Sequence, residues 1–360
     1  MRILLSFLSI IFILNAQTPK ELRELAHSKG LKSIPCDYSV LVSMVDDSKN
    51  PMSIEKIKLG KKLFFDKNLS IDRTISCASC HDITKGGEDG KPTAIGYKNQ
   101  ENPSHLNTPT VLNTAFSKHL FWDGRSNSLK EQAKGPTLAP FEMASTPELI
   151  ENRVKSNIEY IKLFKQSFTD KEPITFDNVA KAIAVYEKTL VTRGAYDDFL
   201  DGDDKALNAS AQKGLNLFIN LGCKGCHFGP AVGGQEIQQF PLRDYNSFLH
   251  LTSTYYEETD TREITKVRLN FEMMHPYPFE NIGGFMGKEG RKKFRVPILR
   301  DISKTAPYFH NGVVKTLREA ISLMGKYQLG LDLTASQLDN LEDFLKSLDG
   351  EIVDFDLEKK

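Results

Sequence analysis

Apolar residues recur along most of this chain at the spacing of a helix face rather than in alternation. Val179, Ile183, Tyr186 and Leu190 follow one another at steps of four, three and four, which predicts an amphipathic helix. Near the end, Thr334 stands three residues before Gln337, the pattern of a capping box. Leu338, Leu341, Phe344, Leu345 and Leu348 then line one face, and Gly350 is expected to close that helix. Gly60-Lys61-Lys62-Leu63-Phe64 and Gly214-Leu215-Asn216-Leu217-Phe218 read as two related helix ends, a faint internal repeat. Between the helical stretches lie Gly- and Pro-rich loops, above all residues 82–109 and 228–297, of a length that points to functional or cofactor-covering roles. No run alternates convincingly as a strand would.

Residues 1–16, MRILLSFLSIIFILNA, break the pattern. Arg2 gives a positive start, and Ile3 to Leu14 form an apolar run of twelve residues. That length suits the core of a signal peptide, about 7–15 residues, and falls short of the roughly 20 needed to cross a bilayer. Cleavage is expected after Ala16. Leu14 is a poor match to the small residue preferred three positions before a cleavage site, so an uncleaved anchor is the alternative. No Cys follows the apolar core, which argues against a lipoprotein, and no later stretch is apolar enough to span a membrane. The expectation is an exported, periplasmic protein.

Composition narrows the class. The 360 residues hold 47 Lys+Arg and 47 Asp+Glu, so bulk charge offers no grip on nucleic acid or an anionic membrane. Hydrophobic residues at 40% and charged residues at 26% mark a folded chain, and its length suggests two units.

The cysteines supply the chemistry. Export normally goes with disulfides, yet four of the five cysteines fall in Cys77-Ala78-Ser79-Cys80-His81 and Cys223-Lys224-Gly225-Cys226-His227. Cys-x-x-Cys-His is the c-type haem attachment sequence. Two thiols one helical turn apart add to the two vinyl groups of one haem, and the following His lies under the iron as its ligand. A redox dithiol does not need His after both motifs, and zinc does not require the same five residues twice. Two covalent haems are therefore expected. The motifs lie 146 positions apart, one per unit. The expected fold is mainly α, two cytochrome c-like domains with long loops: residues 17–200 around the first motif, 201–350 around the second, and 351–360 as a tail. Cys36 is expected as a buried bystander.

The stretches LGKKLFFDKNLS, ISCASCH, NTPTVLN, FWDGR, EQAKGP, FDNVAKAI, GCKGCH and TAPYFHNG, in this order, resemble the bacterial di-haem cytochrome c peroxidases. The resemblance implies reduction of hydrogen peroxide to water with electrons from a small cytochrome c or cupredoxin, and a homodimer. It makes the haem at Cys77, Cys80 and His81 the peroxidatic one. The family's distal pattern, Gln, then Pro four residues on, then Glu six further, falls on Gln132, Pro136 and Glu142. Their chemistry suits the task, because an amide can hold a bound oxygen and a carboxylate can move a proton between the two oxygens. The resemblance makes the haem at Cys223, Cys226 and His227 the electron-transfer one, with Met324, fourteen residues after His310, as its sixth ligand. His/Met ligation raises the potential, as an electron acceptor needs. Trp122 takes the family's position between the haems, and Asn107, Thr305 and Pro307 take its calcium positions.

One departure stands out. The His that caps the peroxidatic iron in many relatives is missing: Tyr97 or Asn99 occupies its place, depending on the anchor, and His105 is the nearest imidazole. The expectation is an open or water-bound iron that works without prior reduction; the alternative is ligation by Tyr97 or His105. His250, Met273, Met274, His275 and Met286, in the least family-like segment, are expected in surface or core roles. Two rival functions remain. A methylamine-utilisation type oxidase is related in fold, but Met324 speaks against it because that type has Tyr there. A plain electron carrier would need no Gln132 and Glu142.

Overall fold

The computed structural model describes residues 17–242 and 277–355. The expected signal peptide, His250, Met273, Met274, His275 and the last five residues of the tail lie outside them. In chain order the helices are α1 (Pro19–Ser28), α2 (Tyr38–Val45), α3 (Ile54–Phe65), the single turn α4 (Cys77–Cys80), α5 (Leu129–Leu138) and α6 (Pro147–Lys155). They continue with α7 (Ile158–Ser167), α8 (Phe176–Glu187), α9 (Ala195–Asp201), α10 (Ala209–Asn220), α11 (Leu317–Met324) and α12 (Ala335–Lys346). The mainly helical expectation holds, and the long loops at 82–109 and 228–242 hold only short turns and one three-residue strand.

Two helix crossings organise the packing. In the first, α3 lies on α8, and Leu59, Leu63, Phe64, Val179, Ile183 and Tyr186 meet in a core that also takes residues of α6 and α7. In the second, α10 lies on α12, and Leu215, Phe218, Leu341, Phe344, Leu345 and Leu348 form the centre of another core. The repeat seen in the sequence has a physical cause here. A Cβ at Gly60 would collide with the Ala182 carbonyl, and one at Gly214 with the Asn340 carbonyl. Each glycine lets the helix leading to a Cys motif press its backbone against the partner helix. The second core also draws in Leu22 and Ala26 of α1 and Phe199 of α9. Both residue groups precede position 201 yet pack with the C-terminal helices.

Most helices open on a polar cap. Thr334 accepts from the Gln337 amide while the Gln337 side chain accepts from the Thr334 N–H, the capping box the sequence predicts. The expected stop at Gly350 is corrected: α12 ends at Lys346, and Gly350 begins β4 (Gly350–Ile352), which pairs antiparallel with β1 (Thr192–Gly194). A Cβ at Gly350 would crowd the Arg193 backbone, so the small residue serves this pairing. The other ladder joins β2 (Ile237–Gln239) to β3 (Lys293–Arg295). All four strands are three residues long, too short for alternation to register in a sequence. Cys36 is corrected too: it is exposed, because it follows Pro35 in the extended link between α1 and α2.

A buried ion pair fastens this scaffold. Asp197 and Arg300 are fully buried and bonded bidentately at 2.6 and 2.8 Å. Asp197 also accepts from the Ile34 and Gly194 amides at 2.6 and 2.9 Å. Removing one partner strands the other charge. Asp197→Ala should therefore lose about 3–5 kcal/mol of unfolding free energy, measured by chemical denaturation of the holoprotein; an unchanged transition would show that Arg300 finds another acceptor.

Candidate haem sites and the bridge between them

The two Cys motifs reach similar backbone geometry by different turns. Cys77–Cys80 is one turn of α-helix, and the His81 amide donates to the Cys77 carbonyl at 2.9 Å. Cys223–Gly225 is a 3₁₀ turn entered through Gly222 at φ +100°, and the His227 amide donates to the Cys223 carbonyl at 3.1 Å. None of the four sulfurs is in a disulfide. Burial pushes the thiols of Cys80 and Cys223 up to about 11, so they stay protonated at neutral pH.

The histidines are held neutral, as metal ligation requires. Burial lowers His81, and its Nδ1 lies 3.1 Å from the Gly87 carbonyl. A carbonyl can only accept, so Nδ1 carries the proton and the Nε2 lone pair is left for a metal. Burial takes His227 to about 4, against a smaller opposing effect of the Val232 and Pro297 carbonyls.

Around the second motif the structure gathers the expected group in one place. A cavity of about 350 Å³ is lined by Cys223, Cys226, His227 and Met324, and also by Trp122, Asn107, Thr305 and Pro307. Its sulfur, imidazole and apolar lining would suit a c-type haem, with Cys223 and Cys226 to attach it and His227 and Met324 as candidate ligands. Trp122 is buried and joins both halves: its Nε1 donates to the Asn107 carbonyl at 2.8 Å, and its own carbonyl accepts from the Arg295 amide at 2.8 Å. The Asn107 amide in turn donates to the His310 carbonyl at 2.9 Å. His310, brought to about 4 by burial, stacks on Phe294 at 4.2 Å and meets Trp122 edge-on at 6.3 Å.

Beside the first motif, α5 and the turn after it form one unit. Pro136 has no N–H to give to the Gln132 carbonyl one turn back. The chain then folds back, with the Glu142 and Ala144 amides on the Ala139 carbonyl at 3.0 and 2.9 Å and the Met143 amide on the Pro136 carbonyl at 3.1 Å. This places Glu142 beside Cys80, whose thiol its charge helps to raise. Glu142 is half-buried and its carboxylate takes no hydrogen bond from the described residues. Burial raises its pKa, and Arg125 opposes the rise. The Tyr97 amide donates to the Glu142 carbonyl at 2.8 Å, and a Cβ at Gly96 would strike the Phe141 carbonyl, so the 95–97 segment is pressed against this turn. Of the residues considered for the missing distal ligand, Tyr97 is the one beside Glu142. Asn99 is exposed. His105 pairs with Glu101 at 3.6 Å and lines a separate cavity of about 120 Å³ with Glu280 and His310.

Two residues escaped the sequence reading. Arg295 follows the basic run Arg291–Lys293, which resembles a solvated face, yet it is 3% exposed. Glu187, the last residue of α8, is buried near Cys77, and its Oε2 has no hydrogen-bond partner. Burial lifts Glu187 from the usual 4.5 to about 8. It is thus protonated in the folded protein at neutral pH and ionised in the unfolded chain. Its contribution is complete below pH 4.5 and is lost as pH rises through about 8. Glu187→Gln should hold its unfolding midpoint across that interval while the parent declines; parallel declines would show that Glu187 is not the group responsible.

A family profile described as "Di-haem cytochrome c peroxidase" matches residues 54–205. The chain is 40% identical to the cytochrome c551 peroxidase of Nitrosomonas europaea over 309 residues, 85% of this chain and 84% of that one. It is also 40% identical to the cytochrome c551 peroxidase of Pseudomonas aeruginosa over 302 residues, 83% of this chain and 80% of that one. Among solved structures, a MauG-like protein associated with microbial copper homeostasis aligns with a TM-score of 0.69 and 26% identity, covering 85% of this chain and 92% of that one.

Proposed function

Because this chain belongs to the di-haem cytochrome c peroxidase family, we propose that its two motif-bearing halves divide one reaction, the first handling hydrogen peroxide and the second receiving electrons. The protein is a di-haem peroxidase. Cys77, Cys80 and His81 hold the peroxidatic haem; Cys223, Cys226, His227 and Met324 hold the electron-transfer haem. When bound, the two haems supply the redox chemistry that no side chain can.

The chain's own residues supply order and protons. Gln132 holds a peroxide oxygen by its side-chain amide, and Pro136 stiffens the end of α5 that carries it. Glu142 takes the proton from one peroxide oxygen and returns it to the other; burial raises its carboxyl above the ordinary range, which favours its holding the proton between the two transfers. Met324 gives the second site a high potential. Trp122, tied by hydrogen bonds to Asn107 and Arg295, lies between the halves as the relay. The balance is one peroxide, two electrons and two protons to two waters. The electrons arrive singly from a small cytochrome c or cupredoxin in the periplasm, to which residues 1–16 direct the chain. The protein acts as a homodimer, and Asn107 with the Thr305 and Pro307 carbonyls holds a calcium ion through neutral oxygens of a kind Ca²⁺ accepts. The first site as isolated would keep an exchangeable position and turn over without prior reduction; a wholly low-spin resting EPR spectrum would overturn this in favour of ligation by Tyr97 or His105.

The observation that carries this reading is Glu142, half-buried beside Cys80 with a carboxylate that takes no hydrogen bond from the described residues. The test is steady-state oxidation of a reduced small cytochrome c by the purified holoprotein. Oxidation should require peroxide and consume two cytochromes per peroxide. A plain carrier would show no peroxide dependence, and an oxidase of the methylamine-utilisation type would consume peroxide without oxidising the cytochrome.

A further inference from the structure

Arg295 ends β3 and Arg300 follows five residues on; both side chains are buried, but among the described residues only Arg300 has an anion. Arg300 is matched bidentately by Asp197. Arg295, 3% exposed, forms no ion pair among the described residues, and its Nε has no hydrogen-bond partner. Burial lowers it only to about 10, so it stays charged at neutral pH. Its neighbour is the Trp122 ring, 5.8 Å from the guanidinium carbon, which attracts a cation but cannot neutralise one. A buried, unmatched cation is strongly unfavourable unless an acceptor joins it. Arg295 also lines the cavity that holds Cys223, Cys226, His227 and Met324.

We propose that Arg295 is the counter-charge for a propionate of the haem in this cavity and sets that haem's potential. The inference rests on the assignment of the second haem to these residues. A propionate is the anion a haem brings with it, and a guanidinium fork binds a carboxylate by two parallel hydrogen bonds. The backbone that carries the fork is fixed, because the β2–β3 ladder pairs Arg295 with Ile237 and its amide is bonded to the Trp122 carbonyl. A fixed positive charge next to the porphyrin favours the state with one more electron.

The test compares the parent with Arg295→Met, Arg295→Gln and Arg295→Lys as holoproteins. Haem per chain is counted first, then the midpoint of each haem is read by spectroelectrochemistry. Arg295→Met should keep two haems, and the equilibrium constant for reducing the thioether-ligated haem should fall about tenfold, ~59 mV for a one-electron couple. The other haem should not move, and Arg295→Lys should recover part of the loss. Where Arg295→Met does not retain haem, Arg295→Gln, which removes the charge but keeps a donor, should show the same shift. A midpoint equal to the parent's in a neutral variant with both haems overturns the inference. A parent with fewer than two haems instead overturns the assignment beneath it.

Discussion

Glu142→Gln should lower kcat/KM for peroxide by about 10²–10⁴-fold, the usual range for losing a positioned proton carrier, while both haem spectra stay close to the parent's. The amide keeps the shape of the turn, whose hydrogen bonds are all made by backbone: the Glu142 amide on the Ala139 carbonyl and the Tyr97 amide on the Glu142 carbonyl. Only the proton is lost. The parent should also show a rising limb in kcat/KM as pH increases, because the working form is the carboxylate and burial holds its pKa above the ordinary range. In Glu142→Gln that limb should disappear. Stopped-flow mixing with peroxide across pH reads both effects. Undiminished turnover would remove Glu142 from the chemistry and leave Gln132 as the remaining polar group on α5 with a role.

Met324→His should produce a different failure. Exchange of thioether for imidazole lowers the potential of the second haem, and each ~59 mV is a tenfold loss in its ability to take an electron from the donor. Turnover should fall by at least about tenfold, with electron entry limiting and the KM for peroxide little changed. A fully reduced sample mixed once with peroxide should still react at the parent's rate, because the first site is untouched. The pair of variants therefore separates proton handling near Cys80 from electron entry near Cys223. If Met324→His kept the parent's potential and rate, Met324 would be a wall of the cavity rather than a ligand.

The haem motifs were legible because covalent attachment is local chemistry: two thiols and an imidazole within five residues leave little room for another reading. The helices of the two crossings were legible because a helix buries a stripe, and Val179, Ile183 and Tyr186 record that stripe directly. Met324 and Glu142 could be singled out only through their spacing in the family resemblance, since a lone Met and a lone Glu look alike in core, surface and site. Other features depend on which distant segments meet. Arg295 reads as part of a basic surface until Trp122 and the cavity wall enclose it. Glu187 looks like the polar end of an amphipathic helix until its carboxyl is found beneath Cys77. Gly350 looks like a helix stop, yet its small size answers to Arg193, far away in the chain. His105 was the nearest imidazole in sequence, but a bend at φ +47° sends it to Glu101 and the smaller cavity.

The docking of α1 onto residues beyond 200 imposes an order on biogenesis. Helix α1 has no apolar surface to settle on until α9, α10 and the last helices have followed it, whereas the core around α3 and α8 lies within one continuous stretch of chain. The half around α3 and α8 can thus condense before the rest of the chain is in place. The half around α10 and α12 must reach back for α1, a late loop closure that should make it the slower of the two to fold.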